Sequence, residues 1–84
     1  MTRKKILEVT EKYRQLLDAA GVKNTGRESE DDLEHCYWML YEIDKLVKIG
    51  RIGKAFRWLG YVQGCFKCTK FRTLTEMRSD SRAA

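Results

Sequence analysis

The sequence contains no proline, and its six glycines fall in three groups, at 21–26, 50–53 and 60–64. Strand-type alternation of apolar and polar residues is also missing, so the pattern favours helices joined by short connections. The longest apolar run, 36–41, is far shorter than the roughly 20 residues that a membrane-spanning helix needs. Because residues 3–5 are basic and lead directly into an amphipathic segment, we predict that the chain has no secretory signal and is cytoplasmic.

Residues for covalent or metal chemistry are few: three cysteines and one histidine. An odd number of cysteines without an export signal favours reduced thiols over a disulfide framework. Cys65 and Cys68 form a Cys-x-x-Cys, but His35 and Cys36 are adjacent on a helix and diverge by about 100°, unlike zinc ligands in knuckle turns. His35 has no carboxylate partner that the sequence identifies. We therefore predict no metal, no cofactor and no enzymatic activity.

The 84 residues, of which 43% are hydrophobic and 35% charged, are enough for a single small helical domain. The formal net charge of +5 is unevenly distributed. The segment 21–50 has four basic and seven acidic residues, whereas 51–84 has eight basic and two acidic residues. No acid occurs between Arg51 and Arg72, and this stretch dominates the electrostatics of the chain.

The apolar spacing predicts an all-α fold of three amphipathic helices, at about 3–20, 30–49 and 51–69, and a short C-terminal helix at about 74–81. The joint near Gly50 is so short that the second and third helices form a helical hairpin core or meet at a sharp angle. An internal loop is expected at 21–29, and a frayed tail at 82–84.

The predicted core faces and helix caps follow from the same spacing. The apolar faces comprise Ile6, Val9, Tyr13, Leu16 and Ala20 in the first helix; Leu33, Cys36, Leu40, Ile43 and Val47 in the second; and Ile52, Ala55, Leu59, Val62 and Phe66 in the third. Ser29 with Asp32, and Thr73 with Glu76, have the spacing of capping boxes before the second and fourth helices.

Gly53, Gly60 and Gly64 lie in one stripe of the third helix, opposite its apolar arc. Each glycine costs a helix about 0.5–1 kcal/mol relative to alanine, so we expect something to pack closely there. The first helix, a second copy of the chain or a foreign partner could supply that contact.

Trp38 falls on the polar face of its helix, where the first helix covers it or it anchors an interface. Since one short helix can hardly cover both Trp38 and the glycine stripe, we predict a homodimer.

The basic residues Lys54, Arg57, Lys67, Lys70 and Arg72 could contact nucleic-acid phosphates. Without a helix-turn-helix spacing, a zinc finger or an aromatic platform, the same residues also fit a solvated helix face or an acidic protein partner.

The run Gly53-Lys54-Ala55-Phe56-Arg57-Trp58-Leu59-Gly60-Tyr61-Val62-Gln63-Gly64 resembles a family of small, uncharacterised bacteriophage and prophage proteins. Those proteins share a Lys-Ala-x-Arg-Trp-Leu-Gly-aromatic-aliphatic-Gln-Gly core, with an early histidine and methionine before it, matching His35 and Met39. A short segment matching 73–78 follows the core. The similarity covers about 33–82, and Cys65-Phe66-Lys67-Cys68 departs from the family pattern. The resemblance implies an origin in phage or mobile elements, hence the cytoplasm of a bacterial host cell, and no mechanism.

These observations lead to one functional hypothesis and one alternative. The hypothesis is a small phage-type accessory protein that binds a host or phage protein without catalysis and modulates or inhibits it, a class that includes inhibitors of host defence complexes. The predicted partner-binding residues are Trp38, Arg57, Trp58, Gly60, Gln63 and Gly64. The alternative is nucleic-acid binding through the basic residues of the third helix and its C-terminal end.

Overall fold

The computed structural model describes residues 2–81, which form four helices and no strand. These are α1 (Arg3–Ala19), α2 (Asp32–Lys48), α3 (Ile52–Cys68) and α4 (Leu74–Ser81). The all-α prediction is confirmed, with every helix end within two residues of its predicted position. Met1 and the predicted tail at 82–84 lie outside the described residues. Within 2–81, no helix has the length and apolar character needed to cross a membrane.

Side-chain caps mark the starts of three helices. At α1, Thr2 Oγ1 accepts from the Lys5 amide at 3.1 Å, and the other two caps lie at α2 and α4. Thr73 and Glu76 form the predicted capping box: the Glu76 amide donates to Thr73 Oγ1 at 3.1 Å, and the Thr73 amide donates to Glu76 Oε1 at 3.0 Å. The predicted cap of α2 at Ser29 is wrong. Asp31 is the N-cap and accepts from the Glu34 amide at 2.9 Å, because a carboxylate one residue before the helix reaches that orphan donor.

The core lies where α1, α2 and α3 meet, and the most extensive packing is between α2 and α3. The predicted faces of α2 and α3 supply most of it. In α1, Ile6, Val9 and Tyr13 of the predicted apolar face are buried, but its C-terminal part is wrong. Leu17 is fully buried there, whereas the predicted Leu16 is only half-buried and the predicted Ala20 is exposed. Helix α1 also buries Thr10, whose hydroxyl oxygen lies 3.0 Å from the Leu7 carbonyl oxygen and 3.0 Å from Asp44 Oδ1 of α2, so that the two acceptors share its single proton.

Helix α4 is fixed to the rest of the fold by one apolar and one charged contact. Met77 is buried in the core. The Asp80 carboxylate, with its side chain only 1% exposed, accepts from Lys12 Nζ of α1 at 2.7 Å. It also accepts from Arg72 Nε at 2.6 Å and Arg72 Nη2 at 2.7 Å. This clamp holds α4 beside α1 and the C-terminal end of α3, and so shapes one flank of the candidate site.

Candidate functional site

The side of α3 that faces away from the core is open along its length. It consists of Gly53, Phe56, Arg57, Gly60, Tyr61, Gly64 and Lys67, all of them exposed, and is named here the outer face of α3. Phe56 is 49% exposed and Tyr61 60% exposed. Large aromatic rings with this exposure are typical of anchors in protein interfaces. The outer face therefore carries apolar surface that the described part of the chain leaves in contact with solvent.

Helix α1 does not cover the glycine stripe, so that alternative is wrong. A Cβ atom built on Gly60 or Gly64 would have no atom within 4 Å, and one on Gly53 would have only Arg57 Nη1, at 3.8 Å. The reason is that α1 packs on the opposite, buried side of α3, where Tyr13 meets Phe66 with ring centroids 5.0 Å apart. A second copy or a foreign partner remains as the expected source of the close contact.

Because the space beside Gly60 and Gly64 is open, we expect that folding does not require glycine at these positions. Gly60→Ala should raise the free energy of unfolding of the isolated chain by about 0.5–1 kcal/mol, because alanine restricts the unfolded backbone and its methyl group meets no neighbour. Urea denaturation followed by circular dichroism measures the change. Gly50→Ala is the matched control: Gly50 has φ +83°, so the same substitution should destabilise. A destabilised Gly60→Ala protein would contradict the open stripe.

The structure separates the five residues of the predicted phosphate-binding set. Arg72 is engaged by Asp80 and by Glu76 Oε2 at 3.2 Å, and Lys54 Nζ lies over the Trp58 ring at 5.5 Å from its centroid. Arg57, Lys67 and Lys70 are exposed and form no ion pair within 2–81. The outer face of α3 thus has two unpaired cations, Arg57 and Lys67, and α3 contains no acid.

Trp38 is half-buried and packs against Trp58 of α3. Its ring lies 6.2 Å from that of Trp58 and 5.4 Å from that of His35, measured between centroids. These three side chains, together with Glu28, Met39 and Tyr61, line a cleft of about 260 Å³ between α2 and α3. The two predicted anchors, Trp38 and Trp58, are therefore together, and Tyr61 connects the cleft to the outer face of α3.

Gln63 has an internal role that the sequence does not reveal. Its side-chain amide donates to the Tyr13 hydroxyl at 3.0 Å and joins α3 to α1. Burial raises the pKa of Tyr13 to about 12, so this hydroxyl stays neutral at ordinary pH.

Phe56 and Tyr61 are exposed residues of the candidate site that the sequence analysis does not single out. Both lie at the border of the glycine stripe, outside the apolar arc, and that position in the helical period was the available signal.

The three cysteines are free thiols, as predicted. Cys36 is fully buried and Cys65 half-buried, whereas Cys68 is exposed. Burial raises the pKa of the Cys36 thiol, which is therefore a poor nucleophile and behaves as a small apolar core residue.

Among residues 2–81, no group of three or more histidine, cysteine, aspartate or glutamate side chains is arranged to hold a metal ion. The assembled features are those of a contact surface: exposed rings, unpaired cations and a flat glycine stripe on one helix face. No protein-family model, curated protein or solved structure matches the chain.

Proposed function

We propose that this chain is a non-catalytic binding protein that uses the outer face of α3 to hold another protein. One observation supports the proposal: a single helix face combines two exposed aromatic rings with the unpaired cations Arg57 and Lys67 and three uncovered glycines. Aromatic and arginine side chains supply most of the energy of protein interfaces, and glycines let a partner backbone approach closely. The resemblance to bacteriophage and prophage proteins makes a host or phage protein the expected partner, which the chain modulates or inhibits.

The charge of this face favours an acidic partner over a second copy. A two-fold axis at the outer face of α3 would bring Arg57 and Lys67 of both copies into one interface, with no acid of α3 between them. Like charges at an interface act against association. The homodimer stays a prediction, and another part of the surface would have to mediate it.

The proposal is tested by affinity capture from a bacterial extract. Proteins retained by the wild-type chain should be lost about tenfold or more with Arg57→Glu and with Tyr61→Ala, because each change removes an exposed contact without touching the core. Lys23→Glu is the matched control: it reverses an exposed charge in the loop between α1 and α2 and should retain the same proteins. Identical retention by all four chains would overturn the proposal.

Nucleic-acid binding is the alternative function, and a separate titration distinguishes it from protein binding. A short DNA duplex and a single strand are titrated with the protein at low salt and again at physiological salt. If phosphates were the ligand, binding would fall steeply with salt and Arg57→Glu would abolish it. That result would replace the proposed protein partner, whereas an absence of binding at low salt would eliminate the alternative.

A further inference from the structure

A groove lies between the C-terminal half of α3 and α4, next to the outer face of α3. Its volume is about 220 Å³, and it is lined by Gln63, Gly64, Lys67, Leu74, Met77 and Arg78. Met77 is 5% exposed and belongs to the core, whereas Leu74 is 43% exposed and open to solvent. The lining therefore extends from core to surface, with two apolar side chains on α4 and the uncovered backbone of Gly64 opposite them.

The size and lining of this groove, named here the α4 groove, limit what it can hold. Pockets for small molecules have volumes of roughly 300–1,000 Å³, so the α4 groove is too small for most of them and fits one large apolar side chain. None of the lining residues is aromatic, and stacked bases need aromatic platforms. An apolar side chain of a protein is the better match.

The charge around the groove is positive and unneutralised. Lys67 and Arg78 both line it, and neither forms an ion pair with any described residue. The nearby acids are already occupied. Asp80 accepts from Lys12 and Arg72, and Glu76 accepts from the Thr73 amide and Arg72. An incoming carboxylate would thus meet two free cations beside an apolar cavity.

We propose that the α4 groove binds an acidic segment of a partner protein. The segment inserts one apolar side chain against Met77 and Leu74, and carboxylates next to that side chain pair with Lys67 and Arg78. This inference rests on the proposed function, since it names the chemistry by which the partner reaches one flank of the outer face of α3. A two-fold contact that places the α4 grooves of two copies against each other is disfavoured, because both grooves have the same positive charge.

The test starts from a displayed library of random dodecapeptides selected on the wild-type chain. Peptides with an apolar residue flanked by Asp or Glu should be enriched. A synthetic peptide of the selected sequence should bind about tenfold or more weakly to Gly64→Leu, which fills the groove, and to Lys67→Glu, which reverses its charge. Gly64→Leu should fold normally because the space beside Gly64 is open, and thermal melting verifies this.

One control variant and one comparison of variants keep this inference distinguishable from the proposed function. Lys23→Glu should bind the selected peptide like the wild type. Leu74 and Arg78 line the α4 groove and lie outside the outer face of α3, so they separate the two proposals. Captured proteins that are lost with Arg57→Glu but retained with Leu74→Ala and Arg78→Glu would overturn the α4 groove and leave the proposed function standing. Enrichment of basic or uncharged peptides, or equal binding by the filled variant, would also overturn it. Sedimentation that shows self-association abolished by Gly64→Leu would assign the groove to a second copy instead.

Discussion

Replacing Phe66 by alanine is expected to lower the free energy of unfolding by about 3–5 kcal/mol. Phe66 is fully buried in α3 and contacts two aromatic rings, those of Tyr13, at 5.0 Å, and Phe71, at 4.9 Å between centroids. The substitution removes the ring that connects α3 to α1 and to the segment before α4. Since small domains have about 5–15 kcal/mol of stability in total, a large part of the margin would be lost. Urea unfolding followed by circular dichroism measures the change.

Phe56→Ala is the matched control, with the same chemical change in the same helix. Phe56 is 49% exposed on the outer face of α3, so its loss should change the free energy of unfolding by about 0.5 kcal/mol or less. The same variant should bind the captured partner more weakly, because the ring is available for contact. Equal destabilisation by the two substitutions would contradict the assignment of Phe66 to the core and Phe56 to the binding surface.

The periodic part of the fold was predictable from the sequence because burial of apolar surface follows a helical repeat. The arc of α3 from Ala55 to Phe66 follows from this repeat, and the helix ends near Gly21 and Gly50 follow from glycine stop signals. The choice between Leu16 and Leu17 in α1 was not predictable. Both are one helical turn from Tyr13, and the side on which α2 packs decides which one is buried.

The sequence pattern predicts none of the polar contacts between segments that are distant in the chain. The hydrogen bond from Gln63 to Tyr13 and the ion pairs of Asp80 join residues far apart in the chain, and no local pattern marks them. The sequence pattern therefore predicts a partner-binding role for Gln63 and a phosphate-binding role for Arg72, whereas both side chains have partners inside the fold. The composition of α3, which contains basic residues and no acid, was sufficient to predict its exposed cations Arg57 and Lys67.

The second large effect is expected at Asp80, which fastens α4 to α1 and to Arg72. Burial of this carboxyl acts to raise its pKa, but the hydrogen bonds and charges of Arg72 and Lys12 outweigh burial and lower the pKa from 3.8 to about 2. Above about pH 5, Asp80 is ionised in both the folded and the unfolded chain, and its contribution to stability is complete. As the pH falls from about 5 to 2, the unfolded chain takes up the proton first, so this contribution is lost.

Asp80→Asn should lower the free energy of unfolding by about 2–4 kcal/mol at pH 7, because it leaves the half-buried cation Arg72 without its bidentate partner. Its deficit relative to wild type should shrink between about pH 5 and 2, where the wild-type carboxylate is itself protonated. Glu76→Gln is the matched control: Glu76 contacts the same Arg72 but is exposed, and glutamine preserves the capping box with Thr73. Denaturant titrations at stepped pH values measure both variants. A deficit of Asp80→Asn that stays constant down to pH 2, or a Glu76→Gln protein equally destabilised, would show that the clamp on α4 is not electrostatic.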